Sequence, residues 1–179
     1  MALVLGASVS PRPTTREAEA AVLEHGAFVL INDMSARDTQ ADEITSVGFG
    51  FVKSKSFCTA MAAELVTADE LWRAPRRPTR VRRRTESCDK FVSFAVTSLL
   101  TDNMIAGPGD RGPLFEEGLA CRVDVNGERW GEGTTSEPTV CSLAEYVQFA
   151  ALDEGLGPGD VLGLGSVPNC CGLEVGKWI

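Results

Sequence analysis

The sequence is organised around residues 31–59, which open with Ile31-Asn32-Asp33-Met34-Ser35-Ala36-Arg37-Asp38-Thr39-Gln40 and close with Lys53-Ser54-Lys55-Ser56-Phe57-Cys58-Thr59. Asp33 follows the apolar run Ala27–Ile31, which reads as a short buried strand. Polarity then rises abruptly, with Ser35, Arg37, Asp38 and Gln40 close together. A rigid strand feeding a polar loop is a common seat of chemistry, because the loop can face a ligand while the strand holds it still. Arg37 can clamp a carboxylate through two parallel N–H bonds, and Gln40 offers both a donor and an acceptor. Lys55 follows the connection Gly48-Phe49-Gly50-Phe51 and supplies a second positive charge. The same residues also suit a polar hairpin with ordinary surface ion pairs, so chemistry alone leaves both readings open.

The motif Asn-Asp-Met-Ser-Ala-Arg-Asp-Thr-Gln, followed by Lys-Ser-Phe, resembles the signature of the fumarylacetoacetase family. Gly48–Val66, Val123–Gly131 and Glu145–Glu174 also read like that family, and in its order. The resemblance implies an α+β fold, a curled mixed β-sheet roll with flanking helices. It implies a divalent-metal enzyme that hydrolyses a carbon–carbon bond in acylpyruvate or fumarylacetoacetate-type diketo acids; some members are decarboxylases, hydratases or isomerases. Carried over residue by residue, Asp33 is a metal ligand and Thr59 belongs to the metal surroundings. Lys55 is the catalytic cation that neutralises developing charge, and Arg37, Gln40 and Ser166 orient the substrate. The expected ion is Mg2+, or Mn2+ or Ca2+, since an all-oxygen site suits hard cations.

Two departures bear on that expectation. The family places a Glu-x-Glu pair of metal ligands directly before the strand read at residues 2–7, and a catalytic histidine further upstream. Met1 stands where the residue after the pair would be, so the resemblance implies an incomplete catalytic domain in which those ligands are missing. The chain also stops where the family continues into a closing strand. A non-catalytic binding or scaffold member of the same fold is the alternative reading.

Composition sets the remaining limits. The 179 residues suffice for one domain with a real core. A formal net charge of −8 argues against general nucleic-acid binding, and no apolar run is long enough for a membrane span. The six cysteines form no Cys-x-x-Cys pair and have no histidine cluster beside them, which favours reduced thiols and a cytoplasmic location. The expected partners are a small diketo acid and a second copy of the chain, because an open roll leaves strand edges to cover.

Along the chain, Thr14-Thr15-Arg16-Glu17 predicts a capping box, with Ala18, Ala21, Val22 and His25 on the apolar face of a helix stopped by Gly26. His25, the only histidine, is read as structural on that face. Ala60–Val66 reads as a strand, and Thr67-Ala68-Asp69-Glu70 starts a helical turn. The interval 73–118 loses the family pattern. It holds seven arginines between Arg73 and Arg84, the β-prone run Phe91–Leu100 and a turn-rich stretch from Gly107. An exposed insertion, a basic arm for an acidic partner and non-native sequence from a mis-read exon all fit. The joint lapse of periodicity, composition and likeness favours the last, and poor packing follows from it. RNA binding is disfavoured, since no aromatics interleave the arginines. Alternation about Asn126-Gly127 predicts a tight hairpin, and Ser142-Leu143-Ala144-Glu145 a second capping box.

Overall fold

The computed structural model describes residues 1–48, 50–73, 92–97, 119–135 and 142–177. Seven strands and four α-helices are built from them: β1 Ala2–Leu5, α1 Thr15–Leu23, β2 Gly26–Asp33, α2 Arg37–Asp42, β3 Thr59–Thr67, α3 Ala68–Arg73, β4 Val92–Thr97, β5 Ala120–Val125, β6 Glu128–Thr134, α4 Leu143–Ala150 and β7 Val161–Gly163. A π-helical turn, Glu43–Val47, continues α2. The strands form a four-stranded sheet in the order β3-β2-β1-β7 and a three-stranded sheet in the order β4-β5-β6. The α+β class is as expected. The sheets are not mixed, however: every strand pairing among the described residues is antiparallel. Between β1 and β2 the reason lies in the connection. The loop after Leu5 and α1 carry the chain out and back to the same strand end, so Gly26 pairs with Leu5 and β2 runs back along β1.

Both predicted capping boxes are present. Thr14 Oγ1 accepts from the Glu17 N–H at 3.3 Å while Glu17 Oε2 accepts from the Thr14 N–H at 2.7 Å. At α4 the Glu145 N–H donates to Ser142 Oγ at 3.3 Å, and the Ser142 N–H to Glu145 Oε2 at 2.6 Å. Each box satisfies helix-end N–H groups that have no partner within the helix. Ala18, Ala21 and Val22 of α1 and Leu143, Ala144 and Val147 of α4 are buried in one core with Leu3, Leu5 and Phe28. Leu3 is 0% exposed, because β1 lies inside its sheet with β2 on one edge and β7 on the other.

The end of α1 differs from expectation. The helix stops at Leu23, Glu24 is its C-cap in right-handed helical conformation, and His25 lies beyond it with an exposed side chain. The His25 carbonyl accepts from the Gly6 N–H at 2.8 Å, so the chain has already turned toward the sheet. Gly26 begins β2 rather than capping the helix. Its glycine identity answers a close approach: a Cβ there would stand 2.3 Å from the Val22 carbonyl oxygen.

The hairpin at Asn126-Gly127 forms as predicted. Val125 pairs with Glu128, and the two turn residues have φ of 51° and 83°, the positive values a type I′ turn requires. Most of the interval 73–118, including the arginine block beyond Arg73, lies outside the described residues. Its β-prone run contains β4, which pairs with β5 in unbroken register from Val92–Val125 to Thr97–Ala120. That segment is therefore part of a sheet, contrary to poor packing throughout. Among the described residues no helix is long and apolar enough to cross a membrane.

Candidate functional site

β2 ends on Asp33, directly opposite Thr59 at the start of β3. The chain then leaves the sheet. Ser35 Oγ donates back to the Asp33 carbonyl at 3.1 Å, and α2 begins at Arg37. The π-helical turn after α2 closes on Gly48, whose φ of 69° is the left-handed value glycine adopts without strain. The loop that follows returns along the motif, with the Ala36 N–H donating to the Ser54 carbonyl at 3.0 Å. This return places Lys55 Nζ 2.6 Å from Asp33 Oδ2.

These residues form one wall of a cavity of about 850 Å³. Of the six residues expected at the site, Asp33, Arg37, Lys55, Thr59 and Ser166 all line it. Gln40 does not. It is buried at 8% exposure, and its Oε1 accepts from Arg37 Nη1 at 2.5 Å. Gln40 thus braces the guanidinium from behind instead of facing a ligand, because its place in α2 turns it to the same side as Arg37, three residues earlier. His25, the chain's only histidine, is not a cavity residue.

Further lining comes from β5, from Trp130 of β6 and from residues between 163 and 177. Two glycines of β6 let that last segment approach. A Cβ on Gly131 would stand 1.9 Å from the Asn169 carbonyl oxygen, and one on Gly133 would stand 2.0 Å from that of Pro168. The result brings Ser166, Cys170 and Cys171 into the cavity, and Arg37 Nη2 donates to Cys171 Sγ at 3.7 Å. Burial pushes the Cys121 thiol up to about 11, helped by Cys170 nearby, and burial likewise raises Cys170. Those two thiols are held in the neutral form at physiological pH. Among the described cysteines, Cys58, Cys121, Cys170 and Cys171 are all free.

Two cavity cations escaped the sequence reading. Arg122 Nε stands 2.8 Å from Asp124 Oδ2, an ion pair whose alignment is not that of a hydrogen bond. Lys177 Nζ lies 5.8 Å from the centre of the Trp130 ring and donates to the Arg129 carbonyl at 3.3 Å. Arg37, Lys55, Arg122 and Lys177 line the cavity, with Asp33 the only carboxylate among its described lining. In a chain of formal charge −8 the concavity is locally cationic. Nothing local to Arg122 or Lys177 signals this role, since tertiary packing brings them to the cavity.

The expected divalent ion can be tested against the donors present. Asp33 already carries the Lys55 ammonium, which competes with a metal for the same oxygen. Thr59 adds a hydroxyl opposite it. No group of three or more His, Cys, Asp or Glu side chains able to hold a metal occurs among the described residues. Hard divalent ions surround themselves with six or more oxygens and favour carboxylates. The described residues do not by themselves fit such an ion.

No curated protein matches the chain. The family model described as fumarylacetoacetate (FAA) hydrolase C-terminal matches residues 1–178. Its span contains the Asp33–Gln40 motif, the loop carrying Lys55 and the Ser166 segment, which the fold gathers around one cavity. The chain belongs to the fumarylacetoacetate hydrolase C-terminal family.

Proposed function

We propose that the cavity binds a short diketo acid of the acylpyruvate type, and that the chain acts as a hydrolase of its carbon–carbon bond. The supporting observation is a lining with four cations, two of them paired with Asp33 and Asp124, around a cavity of small-molecule size. In this reading Arg37 takes the substrate carboxylate with the N–H groups that Gln40 leaves available. Ser166 donates its hydroxyl to a keto oxygen. Water adds to the distal carbonyl, the carbon–carbon bond breaks, and its electron pair becomes the enolate of the pyruvate fragment. Lys55 neutralises the enolate oxygen, and protonation of the carbanion carbon releases a carboxylic acid and pyruvate. No step is assigned to a metal, because the described donors do not fit one.

A second reading has its own support. The paired state of Asp33, and the exclusion of His25 from the cavity, favour an oxo-acid-binding member without turnover. Titration calorimetry with acetylpyruvate, together with the fading of its enol absorbance in magnesium or manganese buffer, separates the two. Binding with turnover, both reduced by Arg37→Ala and Lys55→Ala, supports the hydrolase. Binding without turnover supports the second reading, and absence of binding overturns both. A second copy of the chain is the proposed protein partner, supported by the exposed edge strand β3 with Met61 and Leu65 on its surface. Sedimentation equilibrium tests it, a monomer counting against it.

A further inference from the structure

Lys55 sits on a loop, and a loop cannot hold an ammonium in place unless something holds the loop. The carboxylate of Glu43 meets that need. Its Oε2 accepts from the Val52 N–H at 3.1 Å, the Ser54 N–H at 3.3 Å and Ser54 Oγ at 2.6 Å, and its Oε1 accepts from the Lys53 N–H at 2.6 Å. Three successive N–H groups converging on one point make an anion cradle, here filled by the protein's own carboxylate. Hydrogen bonds to an ionised acceptor are roughly twice as strong as neutral ones. Ser54, which ends the cradle and gives it both an N–H and a hydroxyl, is 0% exposed, and its carbonyl is tied to the Ala36 N–H. The next residue is Lys55.

Glu43 is itself anchored. It opens the π-helical turn, and its carbonyl accepts from the Gly48 N–H at 3.1 Å. Single π turns inside α-helices are frequent at functional sites. Here the turn directly continues α2, which carries Arg37, so Glu43 lies in the same helical segment as the guanidinium. Glu43 does not line the cavity.

We propose that Glu43 is the positioning residue for Lys55, acting through residues 52–54 to hold the ammonium against Asp33. This rests on reading Lys55 as the cation that faces the ligand. Two measurements on the folded full chain test it. The first needs no ligand: the rate at which an amine-acylating reagent labels Lys55, read by peptide mass with Lys177 as reference. In Glu43→Ala this rate is expected to rise toward that seen in Asp33→Ala, and added formate is expected to return it toward the wild-type rate by refilling the cradle. An unchanged rate in a folded Glu43→Ala protein overturns the proposal. If Glu43→Ala does not fold, Glu43→Gln, which keeps the side-chain shape without the charge, is read the same way.

The second is a double-mutant cycle on acetylpyruvate affinity. Glu43→Ala is expected to weaken binding about tenfold in the wild-type background, the scale of a lost hydrogen bond to a charged group. It should have no further effect in Lys55→Ala. An equal loss in both backgrounds means a general structural role and overturns the proposal. If acetylpyruvate binds neither background, the diketo-acid reading fails, and the labelling rates still decide the role of Glu43.

Discussion

Lys55 Nζ lies 2.6 Å from Asp33 Oδ2, a pair made across 22 residues of sequence. Their side chains are 30% and 47% exposed, so the pair contributes at most about 1 kcal/mol to stability. Its consequence is electrostatic. The one carboxylate in the described cavity lining is held by a cation at Oδ2, and a metal ion competes with that cation for this oxygen.

Magnesium is therefore expected to bind the 179-residue chain only weakly, in the millimolar range. Lys55→Ala frees Asp33 and is expected to raise the affinity, whereas Lys55→Ala with Asp33→Ala returns it to the background level. Calorimetry with magnesium and manganese on these proteins reads the order directly. Equal affinity in all three would show that Asp33 is not a ligand.

Gln40 is expected to matter without touching a ligand. Its Oε1 braces Arg37 Nη1 from a buried position, and a hydrogen bond to a charged group contributes about 1.5–3 kcal/mol. Gln40→Ala should lower acetylpyruvate affinity about tenfold, while Gln40→Glu, which keeps an acceptor, should retain most of it. Unchanged affinity in a folded Gln40→Ala protein would show that Arg37 needs no brace.

The Glu43 cradle carries a pH signature. The Ser54 hydroxyl has the largest effect and lowers the Glu43 carboxyl; burial, the next largest, opposes it, and the N–H groups of Lys53, Ser54 and Val52 add to the lowering, so the group stays below its ordinary value of 4.5. A depressed carboxylate stabilises the folded loop above its unfolded value, and that contribution disappears as pH falls through the lowered one. The amide resonances of Val52, Lys53 and Ser54 should thus titrate together with a midpoint below 4.5. In Glu43→Gln the step should vanish; its persistence would assign it to another group.

The thiols should separate by environment. Cys121, raised to about 11, is almost wholly protonated at pH 8, and the thiolate is the nucleophile. Cys58 is exposed. Iodoacetamide on the native protein is expected to alkylate Cys58 well before Cys121, and denaturation should erase the difference. Equal native rates would mean that the half-buried Cys121 thiol is not held back by its surroundings.

The features legible in the sequence are those whose physics is local. Thr14 with Glu17, and Ser142 with Glu145, satisfy helix-end N–H groups three residues apart, so their spacing announces both boxes. Asn126-Gly127 announces its hairpin because few residues tolerate two successive positive φ values. Asp33, Arg37 and Lys55 were visible through their motif, which family likeness made specific. Tertiary structure decided what those groups do. It turned Gln40 behind Arg37, left His25 beyond the helix end, and aimed three backbone N–H groups at Glu43 from up to 11 residues away. It also brought Cys171 to Arg37 across 134 residues and set Arg122 and Lys177 in the lining of the same cavity. A pattern of period two or 3.6 specifies which face of one element is apolar. Which polar groups then meet across a cavity depends on how two sheets and a returning segment pack, and no local spacing encodes that.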